Sequence, residues 1–146
     1  MTKLEFISKA LIPLALMLIC PLPVAAAQYT CTIKSVLGLN DNGQYATHEW
    51  ENFYLERQFV VERESGKVIS TTALKARLKN FDATYSPKVL NAGDSSHPFK
   101  SITIFENTAE FTVLQIAENF TGVQKPFYYQ TYIGMLLSGT CEGDAS

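Results

Sequence analysis

The sequence predicts an all-β fold: a single-domain antiparallel β barrel or sandwich of about seven to nine strands, preceded by a cleavable signal peptide. Three observations carry that expectation. Apolar residues recur with a period of two through most of the chain, and Gly, Asn, Asp or Ser clusters interrupt them at short intervals. Two cysteines, Cys31 and Cys141, stand near opposite ends of the part that follows the signal.

The signal occupies residues 1–27. Lys3 and Lys9 give it a positive start, and Ala10–Cys20 is an eleven-residue apolar run. Pro21 and Pro23 break any helix before Ala25-Ala26-Ala27, which supplies the small residues a signal peptidase needs, so the cut is expected after Ala27. A membrane span would need about 20 apolar residues, and this run is shorter and holds Pro13. Lipid attachment at Cys20 is disfavoured by Ile19 before it and Pro21 after it. The signal is of the bacterial style, which makes the protein periplasmic or secreted, with no membrane span after cleavage.

Residues 28–146 then form one domain, a length that supports a single core. Of the 146 residues, 47% are hydrophobic and 12% aromatic, which excludes a disordered chain. Without the signal the net charge is −3, no footprint for nucleic acid. In an oxidising compartment Cys31 and Cys141 are expected to form a disulfide.

The strands follow in order. In Cys31–Leu39 the odd positions Cys31, Ile33, Ser35, Leu37 and Leu39 form the inward phase, and in Ile133–Cys141 they are Ile133, Met135, Leu137, Gly139 and Cys141. Both cysteines thus point inward from terminal strands, and neighbouring strands would let the sulfurs meet. Asp41-Asn42-Gly43 is a turn suited to positive φ. Phe53, Leu55, Phe59 and Val61 alternate with Tyr54, Glu56, Gln58 and Glu62, predicting a strand with one wet face. Arg57 and Arg63 fall in its apolar phase and need partners or places near the strand ends. Glu64-Ser65-Gly66-Lys67 links it to Val68-Ile69 as a hairpin. Leu74–Lys79 alternates strictly and is read as a strand, and further strands are expected at Phe99–Phe105, Glu110–Ala117 and Phe127–Tyr132.

Few residues suggest catalysis. His48 and Glu51 could make half a metal site, but two ligands do not hold an ion, and no metal or cofactor is expected. Asp94-Ser95-Ser96-His97 holds the residue types of a hydrolase triad, yet triads assemble from separated positions, and the stretch reads as a polar loop. Two stretches suggest a binding surface instead. Lys75, Arg77 and Lys79 would project from one strand face, either toward an acidic partner or as the guard of a sheet edge. Phe127, Tyr128, Tyr129 and Tyr132 crowd four aromatics into six residues, and Tyr128, Tyr129 and Tyr132 are the candidate contacts.

The layout of export signal, Tyr29-Thr30-Cys31, all-β middle and terminal Gly139-Thr140-Cys141 is similar to that of small periplasmic lysozyme inhibitors of the C-type group. The likeness covers architecture and cysteine placement, and the family's Ser-Ala-Ser-Gly-type inhibitory loop has no counterpart, so no residue role carries over. The expected function is a non-catalytic binding module for a protein or cell-envelope component. The alternatives are a small hydrolase using a histidine, and an inhibitor or a hollow-barrel carrier of a small ligand.

Overall fold

The computed structural model describes residues 27–70, 85, 87–106 and 108–143. It is nearly all β, one antiparallel sheet curled into a half-barrel. The strands are β1 (Gln28–Leu39), β2 (Tyr45–Thr47), β3 (Gln58–Glu62), β4 (Val68–Ser70), β5 (Lys88–Ala92), β6 (Phe99–Phe105), β7 (Glu110–Ile116), β8 (Gln124–Gln130) and β9 (Leu136–Gly143), with a four-residue helix α1 (Glu51–Tyr54) between β2 and β3. Their order is β4-β3-β1-β9-β8-β7-β6-β5, and β2 pairs with the far end of β1.

The first and last strands are neighbours, as the cysteine phases require. Cys31 and Cys141 are directly opposed, with Cα atoms 3.9 Å apart and the disulfide formed. Along β1 the inward residues are Tyr29, Cys31 and Ile33, all fully buried. Strict alternation predicts Ser35, Leu37 and Leu39 next. Instead the register against β9 shifts between Ile33 and Ser35. This bulge exchanges the phases, so Val36 enters the core and Leu39 is 61% exposed.

One edge of β1 is shared. β3 pairs with Gln28–Thr32 and β2 with Leu37–Leu39. Between them the chain leaves the sheet and returns. That excursion still satisfies the β1 backbone, through Ile33 N–H to the Arg57 carbonyl (3.0 Å), Glu56 N–H to the Ile33 carbonyl (2.8 Å) and His48 N–H to the Val36 carbonyl (3.0 Å). The strand expected from Phe53 is therefore corrected: it begins at Gln58, and Glu51–Tyr54 is helical. Tyr54, placed on the wet face by alternation, is fully buried, because a helical turn brings it over the core. Arg57 and Arg63 lie just outside the two ends of β3, where their charges need no burial in it.

The two anticipated turns form, with Gly43 at φ 73° and Gly66 at φ 72°. A Cβ on Gly66 would meet Ser101 Cβ at 3.0 Å and Val89 Cγ2 at 3.1 Å, so the β3–β4 turn packs onto β5 and β6. The two ends of the sheet thereby face one another across the concave side. Large side chains fill that side: Phe59 meets Phe127 edge-on at 5.3 Å, and Tyr29 meets Phe99 at 5.6 Å.

Arg63 ties three loops together where the sheet curls. Its guanidinium reaches Glu118 at 3.6 Å, donates to the Ala92 and Gly93 carbonyls at 3.4 Å, and lies 5.0 Å from the Tyr29 ring centroid. Burial, with Glu118 close by, pushes the Tyr29 hydroxyl well above its usual range.

Candidate functional site

β8 separates the tyrosine cluster by strand alternation. Phe127 and Tyr129 point inward and are buried, and burial pushes the Tyr129 hydroxyl far above its usual range. Tyr128 points outward and donates to Gln115 Oε1 at 3.3 Å. Tyr132 lies past the end of β8, where its ring packs on Phe105 with centroids 5.8 Å apart. Of the three tyrosines expected on a surface, Tyr128 is the one the outer sheet face presents. Lys75, Arg77 and Lys79, together with the strand expected there, lie outside the described residues.

Tyr128 has apolar company that residue-type counting missed. β6 and β7 are apolar on both faces. Inward go Phe99 and Phe105 from β6, and Leu114 and Ile116 from β7; outward go Ile102, Ile104, Phe111 and Val113. Ile104 stands opposite Phe111, and Ile102 opposite Val113. Ile104 is 61% exposed and Phe111 48%, and Leu90 on neighbouring β5 is also exposed. Four strands therefore contribute to one apolar outer face. A signal existed in the sequence, because Phe99–Phe105 places Ile102 and Ile104 in the phase opposite to Phe99 and Phe105.

A second feature lies where β1, β2 and the β8–β9 turn end. A cleft of about 220 Å³ is lined by Gly38, Leu39, His48, Ile133, Gly134 and Met135. The Cδ2 edge of the His48 ring points at Gly38, where any Cβ would meet it at 2.7 Å. Leu39, Tyr45 and Ile133 are all exposed around it. Ile133 is placed in the core by its phase in the sequence. The structure puts it in the turn before β9, because that strand begins only at Leu136.

The two histidines are far from forming a catalytic pair. His48 Nδ1 accepts the Trp50 N–H at 3.1 Å, which leaves the ring proton on Nε2. Among the described residues no serine hydroxyl or carboxylate bonds to it. His97 sits in an exposed turn in which Asp94 Oδ1 accepts the N–H groups of Ser96 (2.7 Å) and His97 (2.8 Å) and lies 3.1 Å from His97 Nδ1. The Ser96 N–H, followed by the His97 side chain, holds the Asp94 carboxyl below its usual range. This is a self-contained capping turn with local partners for each group. Among the described residues no cluster of three or more His, Cys, Asp or Glu is placed to hold a metal ion, and no helix is long and apolar enough to cross a membrane.

No protein-family model matches the chain, and neither do the curated proteins or the solved structures compared with it.

Proposed function

We propose that residues 28–146 are exported behind a cleaved signal and act, in the periplasm or outside the cell, as a non-catalytic module that binds a protein partner. The carrying observation is the apolar outer face of β6 and β7, with Ile104 and Phe111 at its end nearest the β6–β7 turn and Tyr128 at the opposite margin, level with Lys100 and Gln115. Contiguous apolar surface of this kind on a soluble domain marks a place where something docks. The disulfide supports an oxidising compartment. The histidine hydrolase gains no support, since among the described residues neither imidazole has a nucleophile or an orienting group from a separate part of the chain. The hollow carrier gains none either, because large side chains fill the concave face.

The test is capture by the mature, oxidised protein from envelope extracts, run beside an Ile104→Asp/Phe111→Asp variant whose thermal midpoint is measured in parallel. The expected result is a partner retained by the parent and lost by the variant with folding unchanged. Equal capture by both proteins would overturn the reading. So would a parent that sediments as a dimer and a variant that sediments as a monomer, since the face would then be a self-contact.

A further inference from the structure

The end of the half-barrel that holds the His48 cleft has a charge pattern of its own, independent of the outer face. The strand register defines a row across the sheet: Thr47, Leu37, Leu136, Gln130, Val113, Ile102 and Lys88. Beyond that row toward the cleft lie the β1–β2 turn, the β6–β7 turn and the β8–β9 turn. Among the described residues these turns carry Asp41 and Glu106, with Glu110 at the start of β7, and no Lys or Arg. The excursion after β2 adds Glu49 and Glu51, and from Ser35 to Leu55 the sequence holds no Lys or Arg. Asn40 and Glu49 line an adjoining hollow that shares Gly38, Leu39 and His48 with the cleft. The β8–β9 turn on its other side, Thr131–Met135, is uncharged.

Size narrows the occupant. Pockets for free small molecules run from about 300 Å³ upward, and this cleft is smaller, near the room one large side chain needs. Its lip is apolar, through the exposed Leu39 and Ile133, and Asp41 and Glu49 stand close in sequence to the lining residues Leu39 and His48. A side chain inserted between Gly38 and Gly134 would exchange water for Leu39, Ile133 and Met135. Cationic neighbours of that side chain would be steered in by the carboxylates.

We propose that this end docks a cationic protein segment. One large apolar side chain enters the cleft, and flanking Lys or Arg residues face Asp41 and Glu49. The entrance is open beside Gly134, where nothing lies within 4 Å of the place a Cβ would take.

The test uses three synthetic peptides against the mature, oxidised protein, followed by backbone amide shifts in NMR at about 0.02 M and about 0.2 M salt. The probes are Arg-Lys-Trp-Lys-Arg, its acidic counterpart Glu-Asp-Trp-Asp-Glu, and Arg-Lys-Ser-Lys-Arg. The first is expected to move the amides of Gly38, His48 and Gly134, and to bind at least about tenfold more tightly than either of the others. The higher salt, or Glu49→Gln with Asp41→Asn, should weaken it about tenfold, as should Ile133→Ser. Because all three substituted side chains are on the surface, the thermal midpoint checks that each variant is folded. Equal binding of the acidic or the serine peptide would overturn the proposal, and so would shifts located elsewhere. Indifference to the carboxylate and Ile133 changes would do the same. An Ile104→Ser/Phe111→Ser variant, which leaves the charge of this end unchanged, should bind the tryptophan peptide normally, which separates this result from the fate of the outer face.

Discussion

At Gly139 a Cβ would collide with the Thr32 carbonyl oxygen and stand 3.0 Å from the Lys34 backbone nitrogen. Both obstacles are backbone of β1 beside the bulge, and neither can move without breaking the β1–β9 ladder. The absent side chain is therefore what lets the bulge form and Val36 turn inward. Gly139→Ala is expected to destabilise the fold by at least about 2 kcal/mol, read from a urea midpoint. Gly43→Ala is the comparison. It sits at φ 73° with nothing within 4 Å, so only backbone strain of about 1 kcal/mol applies. Similar losses for both would show that the close approach at Gly139 is not what matters there. In the sequence Gly139 reads simply as one inward position of an alternating strand, because a residue's own neighbours do not reveal what packs across it.

Among the elements, the β1–β9 pair was the most legible. Two cysteines in matching phases of the two terminal strands are enough to expect them side by side, and they are paired in register. The bridge spans 110 residues of sequence. On the chain-entropy account, restricting a loop of that order in the unfolded state is worth about 4.7 kcal/mol, and removing a native disulfide from a small exported domain costs about 2 to 5. Cys31→Ser/Cys141→Ser should keep the far-ultraviolet spectrum, since the ladder itself remains, while losing about 3 kcal/mol in denaturant. An unchanged midpoint would show that the covalent link adds nothing beyond the hydrogen-bonded pair. The stretch around α1 was the least legible element. Phe53, Leu55, Phe59 and Val61 keep a period of two across a helix, a turn and a strand, so alternation alone joins three different conformations. The deciding factor is the edge of β1, already filled by β2 and β3, which leaves the intervening chain no ladder to extend.

The whole molecule closes on itself through the Arg63 contacts. The β3–β4 turn and the β7–β8 loop are remote in sequence, and the Arg63–Glu118 pair joins them from mostly buried positions. Lys34–Glu56 is shorter, at 2.7 Å, but lies in solvent. Screening makes the exposed pair worth little, whereas removing Arg63 strands a shielded carboxylate. Arg63→Ala is expected to cost about 1–2 kcal/mol, and Lys34→Ala no more than about 0.5 kcal/mol, both from thermal or urea unfolding. Adding Glu118→Ala to Arg63→Ala should recover part of the loss; full additivity of the two would contradict an energetic link between these loops.

The sequence by itself determined the strand-rich class, the turns at Gly43 and Gly66, and the meeting of the first and last strands. These follow from local rules, namely period-two patterning, glycine's access to positive φ and the chemistry of paired thiols. Tertiary structure alone decided where the phase of β1 reverses, which tyrosine faces outward on the sheet that carries Ile104 and Phe111, and which turns meet at the end that holds the His48 cleft. Each of those depends on groups distant in sequence occupying the same space, and side-chain order along a chain does not encode that proximity.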